Sequence, residues 1–304
     1  MENRQNRQGQ PMSYGKRFWH VWGAFIINWG IGILISTAAL MLFLGLYGAS
    51  HTKEMLSSLE NQAAMLNIYD RVVEMMQRHT VEILGVRALI TIPVMFFLYR
   101  RDRKRERVLG PVRERKTPAV MYILTAALAG TLSMALNNLI IISDLSSYSL
   151  GYQETSTAFY SASMGMQILC LGILSPVAEE LVFRGLMYRR MREDTKMVMA
   201  MIYTAVIFGL FHGNTVQMIY GTAMGLILAY VCEICGSVLA PMIGHMAANL
   251  LSIGATYFRV YDWMITDIMI IGGITVACAT AAACVFLMIR KVENTANIAN
   301  NIAK

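Results

Sequence analysis

Long apolar stretches recur along this chain, at 21–48, 81–99, 118–143, 162–189, 197–214, 216–232, 237–258 and 266–289. Nothing else in the sequence limits the fold as strongly. About 20 consecutive apolar residues cross the hydrocarbon layer of a membrane as one helix, and most of these stretches approach or exceed that length. Inside the layer every backbone N–H and C=O must be satisfied by the protein itself, so only helices and closed barrels cross it. Barrel strands alternate apolar and polar residues over about ten positions, a pattern that continuous apolar runs exclude. Composition agrees: 56% of the 304 residues are hydrophobic and 15% are charged, against about a quarter charged in soluble domains. The expectation is an all-α, polytopic transmembrane helical bundle of about eight membrane helices.

The net charge is +7, and its distribution argues against nucleic acid. With the N-terminus inside, Arg4, Arg7, Lys16, Arg17, the basic loop 100–116, the turn 189–196, Arg290, Lys291 and Lys304 all fall on the cytoplasmic side. Lys53, Arg71, Arg78 and Arg259 fall on the other. This asymmetry is the positive-inside bias. It predicts an N-in/C-in topology, with the lipid bilayer rather than nucleic acid as the partner of the surplus charge. Four parts follow: a polar cytoplasmic tail (1–17), two membrane helices with an outer segment and the basic loop (18–117), a membrane core (118–260), and a last membrane helix with its tail (261–304). Within 52–78, Met55, Leu59, Ala63, Leu66, Val73 and Met76 recur near helical spacing, predicting an amphipathic helix on the outer face. Cys232 and Cys235 form an isolated C-x-x-C, and all five cysteines read as small apolar residues of membrane helices.

Charged side chains cost about 2.5–3.5 kcal/mol each at the middle of a membrane helix, so those present are functional candidates. Glu179, Glu180 and Arg184 lie within six residues of the fourth apolar stretch. Glu180 and Arg184 are at i,i+4 with the acid first, the favourable order for a pair on one face. That leaves Glu179 free for chemistry. Two histidines also fall in apolar stretches, His212 four residues after Phe208 and His245 four before Asn249. Measured from the polar turn 193–196 at about 1.5 Å per residue, Glu179 lies roughly 20 Å and His212 roughly 22–24 Å away, a matched depth. His245 is only about 12 Å beyond the start of its helix, so a tilt or a dipping turn has to bring it level. Carboxylate, imidazole and amide are the parts of a hydrolytic site. Arg87, also within a stretch, is expected to pair with Glu82 or to snorkel, and Asn137 and Asn138 to bond between helices.

The three motifs Glu-Glu-x-x-x-Arg (179–184), Phe-x-x-x-His (208–212) and His-x-x-x-Asn (245–249) resemble, in order, those of the CAAX protease and bacteriocin-processing (CPBP, or Abi) family of intramembrane proteases. The resemblance covers about residues 118–260. It implies a bacterial plasma-membrane endopeptidase acting on a membrane-associated protein or peptide, near a prenylated C-terminus in eukaryotic members. Carried over, Glu179 is the general base, His212 positions the water, and His245 and Asn249 stabilise the oxyanion. Glu180, Arg184 and Phe208 support them. Glu179 must be ionised to act, which burial opposes; Arg184 and a water-filled cavity are the expected counterweights. No cofactor is favoured; Glu179, His212 and His245 would be the ligands if zinc is used. The alternatives are a non-catalytic relative with an immunity or scaffold role, and a transporter using the same polar cluster.

Overall fold

A computed structural model describes residues 13–58, 61–109 and 117–302. Arg4, Arg7, Leu59, Lys304 and the end of the basic loop lie outside them. No strand occurs among the described residues, and each apolar stretch forms a helix. In chain order the helices are α1 (Tyr14–Ser50), α2 (Thr52–Ser58), α3 (Gln62–Arg78), α4 (Thr80–Leu109), α5 (Ala119–Ile142), α6 (Leu150–Ser161), α7 (Met164–Arg192), α8 (Met197–Leu210), α9 (Thr215–Cys235), α10 (Leu239–Tyr257), α11 (Val260–Met264) and α12 (Ile268–Ile302). Six of them, α1, α4, α5, α7, α9 and α12, are long and apolar enough to cross a membrane. α8 has only 14 residues, and α10 carries His245 and Asn249 in its apolar run. The chain is an all-α, multi-pass membrane protein.

α7 is the axis of the bundle. α1, α4, α8, α9 and α10 pack around it, and Phe183, Arg184, Leu186 and Met187 reach 0% exposure. α5 closes the far side, against α10 and α12. Asn137 meets the expectation of interhelical bonding: its amide donates to the Ser252 hydroxyl at 2.9 Å and the Tyr261 hydroxyl at 3.1 Å. Asn138 does not: it is buried, and neither its amide nitrogen nor its oxygen has a partner among the described residues. At the basic end, Arg190 donates to Asp102 of α4 at 2.6 Å and to the His20 carbonyl of α1 at 2.8 Å. Tyr188 and Arg192 both donate to Glu233 of α9, each at 2.8 Å. These residues brace four helices.

Two expectations change. The segment 52–78 is two helices, and α3 is phased by its own cap, the Asn61 side chain accepting from Ala63 and Ala64. Its inner face is Ile68 and Val72, packed with Tyr47 of α1, whereas Leu66 is 57% exposed. The stretch 197–214 is helical only to Leu210, after which the chain turns through Gly213 and Asn214 caps α9 by accepting from Gln217. His212 therefore sits in the turn beyond α8.

α8 and α9 approach closely because Gly209 has no side chain. A Cβ there would collide with the Thr222 hydroxyl and the Met218 carbonyl oxygen of α9. Overpacking of this kind costs about 1–3 kcal/mol or more, and here one obstacle is backbone. Gly209→Ala is expected to lower the thermal unfolding midpoint in detergent by several degrees; an unchanged midpoint would show that the two helices can part freely.

Candidate active site

The geometry of the site begins at a proline. Pro176 has no N–H to donate one turn back, and its ring crowds the carbonyl there. Ahead of it the helix widens: Gln167–Leu174 is π-helical, and the Ser175 N–H reaches back to the Cys170 carbonyl. The α-helical segment Ser175–Glu180 follows, and a second π segment, Leu181–Tyr188, comes after it. No proline accounts for the second. π turns inside α-helices gather at functional sites, and these two flank both glutamates.

Glu180 and Arg184 are both 0% exposed. Arg184 donates from Nη1 to Glu180 Oε1 at 2.9 Å and from Nη2 to the Gly225 carbonyl of α9 at 3.0 Å. Its guanidinium carbon lies 4.4 Å from the centre of the Phe208 ring of α8. A carboxylate, a helix carbonyl and an aromatic face thus close around one cation. Such hydrogen bonds are what make a buried ion pair tolerable.

His245 reaches the same carboxylate from α10, its Nδ1 lying 2.9 Å from Glu180 Oε1. An ionised carboxylate only accepts, so Nδ1 carries the hydrogen. Nε2 then faces Glu179, 3.8 Å from its Oε2. The depth of His245 is explained by the turn before α10. Arg189 Nη2 donates to the Gly236 carbonyl at 2.8 Å, holding that turn level with Arg189. Nine residues separate Arg189 from Glu180 and nine separate Gly236 from His245, and the turn with the start of α10 returns His245 to Glu180, where the side chains meet. Glu179 differs from its neighbour: its side chain is 27% exposed, and no hydrogen bond reaches it from the described residues.

His212 is fixed at the same ring nitrogen. Its Nδ1 lies 2.8 Å from the Phe208 carbonyl, which can only accept, so Nε2 is left with its lone pair. The Phe208 ring lies edge-on to both imidazoles, 4.9 Å from His212 and 5.8 Å from His245. Asn249, one turn after His245, donates to the Leu171 carbonyl in the first π segment at 2.9 Å. It keeps one N–H to give. Glu180, Arg184, Phe208 and His245 are thus linked in one cluster, Glu179 approaches it through His245 alone, His212 joins through Phe208, and Asn249 ties α10 to α7.

Zinc would need Glu179, His212 and His245 to converge. Among the described residues, no group of three His, Cys, Asp or Glu side chains is placed to hold a metal ion. Both histidines leave Nε2 open, since Glu180 takes His245 Nδ1 and the Phe208 carbonyl takes His212 Nδ1, the arrangement that metal-ligating histidines also adopt.

Three contacts escaped the sequence reading. Two are backbone carbonyls, Gly225 and Leu171, which no side-chain pattern announces. The third is Arg87, which forms no ion pair with Glu82 among the described residues. Its guanidinium carbon lies 5.0 Å from the centre of the Phe211 ring. The charge was visible in the sequence; its partner, far along the chain, was not.

Residues 161–251 match the family model described as Type II CAAX prenyl endopeptidase Rce1-like. The matched stretch contains Glu179, Glu180, Arg184, Phe208, His212, His245 and Asn249. The chain is also similar to a curated protein of Bacillus subtilis (strain 168) named "Putative membrane peptidase YdiL", with 27% identity over 84 residues. That match covers 28% of this chain and 34% of the relative, so the chain spans about a third of the relative's length. No solved structure matches. The resemblance first carried by three short motifs is supported by both likenesses.

Proposed function

We propose that the chain is an intramembrane endopeptidase that hydrolyses peptide bonds of a membrane-associated protein or peptide with water activated by Glu179, without a metal. The observation that carries this reading is His245 set between two unlike glutamates. Glu180 is buried and committed to Arg184, whereas Glu179 is accessible and has its lone pairs free. Glu179 takes a proton from water as the water oxygen attacks the scissile carbonyl. His212 accepts the other hydrogen of that water at Nε2. His245, as imidazolium, donates from Nδ1 to Glu180 and from Nε2 to the developing oxyanion, beside the spare N–H of Asn249. The two carboxylates, Arg184 and the imidazolium sum to zero charge, which suits a site of low dielectric. When the intermediate collapses, the proton on Glu179 passes to the leaving amine and the C–N bond breaks. The charge asymmetry of the loops supports an N-in/C-in orientation.

The test uses a fluorogenic peptide ending in a prenylated CAAX sequence, and its unprenylated twin, in liposomes. Removing one preorganised oxyanion donor costs about 10²–10³ in rate, so His245→Ala is expected to lose at least that much on whichever peptide is cut. His212→Ala is expected to lose about 10²-fold, within the span of general acid–base effects. A chelator is expected to leave the wild type unaffected. Wild-type rates in His245→Ala would overturn the oxyanion assignment. Activity lost to chelation and restored by zinc would overturn the metal-free reading.

A further inference from the structure

We infer that a chain of polar side chains outside all three motifs, Tyr220, Ser133, Ser252, Asn137 and Tyr261, is a hydration site that holds water between α5, α9 and α10 and passes it to the reaction centre. That last step rests on the reading of the centre as a hydrolase. The Tyr220 hydroxyl of α9 donates to Ser133 of α5 at 2.8 Å. Ser133 and Ser252 of α10 share a hydrogen bond at 3.4 Å. Asn137, one turn further along α5, directs its amide hydrogens to Ser252 at 2.9 Å and to Tyr261 of α11 at 3.1 Å. The two ends of this chain have different surroundings. Tyr261 lies between Arg259 and Asp262, an ion pair whose side chains are 82% and 58% exposed, and charges so open belong at the aqueous boundary. Tyr220 packs against the cluster of Ala129, Met224 and Ala248, and Ala248 adjoins Asn249. A Cβ on Gly221, the residue after Tyr220, would sit 3.4 Å from His212 Nδ1. Ser252, three residues after Asn249, shares its face of α10. The chain therefore runs from the aqueous boundary to two residues of the site.

Polar side chains between membrane helices commonly serve as glue, and glue saturates its own groups. Here the groups are not saturated. Asn137 Oδ1 accepts from none of the described residues, its amide nitrogen alone being engaged. The next residue, Asn138, is 0% exposed, and neither its nitrogen nor its oxygen has a partner among the described residues. Met134 and Ile141, one turn to either side of Asn138, pack in one cluster with Tyr261, so this amide stands on the Tyr261 side of α5. A buried amide left unsatisfied bears the full loss of its hydration. The usual remedy inside proteins is an ordered water making about three hydrogen bonds. Hydroxyls and amides, with no charged side chain in the chain itself, suit a neutral ligand that both donates and accepts, which is water rather than an ion. Apart from Tyr220, these residues lie outside the matched stretch 161–251.

The test detects the water itself. X-ray radiolysis of the protein in liposomes makes hydroxyl radicals from water already in place, and mass spectrometry then locates the oxidised side chains. In the wild type, Tyr220 and Met134 are expected to be oxidised. Met95, 0% exposed in the apolar core around α7, is expected to stay protected. Asn137→Leu is expected to protect Tyr220 and to lower kcat on the liposome peptide about two- to ten-fold, the equilibrium weight of one hydrogen bond, with KM nearly unchanged. Ser252→Ala is expected to act the same way more weakly, and decides the matter if Asn137→Leu fails to fold. Wild-type protection of Tyr220 and Met134 at the level of Met95 overturns the inference, because the chain is then dry packing. Protection of Tyr220 in the variants with kcat unchanged overturns it too, since water held there would not serve the reaction. A wild type that cuts neither peptide overturns the endopeptidase reading instead, and the oxidation of Tyr220 then judges the hydration site by itself.

Discussion

Glu179→Ala is expected to abolish peptide cleavage while leaving the protein folded. A general base contributes about 10²–10⁴-fold to rate, and this substitution also removes the group that returns the proton to the leaving amine. The fold should not register the loss, because Glu179 accepts no hydrogen bond from the described residues and is partly exposed. Removing it leaves His245 on Glu180 and the buried Glu180–Arg184 pair intact. The measurement is cleavage of the liposome peptide beside a thermal unfolding curve in detergent. Cleavage within about ten-fold of wild type, far short of the general-base range, would sink the mechanism. So would a lost unfolding transition, since the residue would then be structural.

Arg184→Ala should give the opposite pattern, a protein that unfolds easily. Breaking a buried ion pair by removing one partner costs about 3–5 kcal/mol, because the survivor is left uncompensated. Here the loss is threefold: the bond to Glu180, the bond to the Gly225 carbonyl and the contact with the Phe208 face. The orphaned Glu180 carboxylate would keep only His245. The double variant Glu180→Gln with Arg184→Met removes both charges and is expected to recover part of the stability but none of the activity, since His245 loses its anchor. Denaturant unfolding in detergent reads the first effect and peptide cleavage the second. A loss below about 1 kcal/mol in Arg184→Ala, the scale of an exposed pair, would mean that the pair is dispensable.

What could be read from the sequence follows the range of the interactions involved. The Glu180–Arg184 pair was legible because both partners lie one turn apart on one helix. The membrane helices were legible because apolar length is a local property. The level of His245 was not, since it depends on Arg189 holding the Gly236 carbonyl across two helices. The face of α3 was misread through Leu66 because the break before Asn61 resets the helical phase, and α6 was missed because none of its residues is buried. The π segments left no trace beyond Pro176. Arg87 shows the limit most clearly: its cost was evident, while its neighbours Gly32 and Phe211 join it only in three dimensions.

The shortness of α8 has a consequence for the lipid. Fourteen residues rise only about 21 Å at 1.5 Å per residue, against a hydrocarbon layer about 30 Å thick. The turn that carries His212 thus ends within the apolar layer, where exposed backbone is tolerated only beside protein or water. Hydrophobic mismatch of this kind is met by local thinning of the bilayer. Thinning on this flank is expected to bring the aqueous boundary toward the turn that carries His212, and so to open a route through the membrane for the water that the reaction consumes.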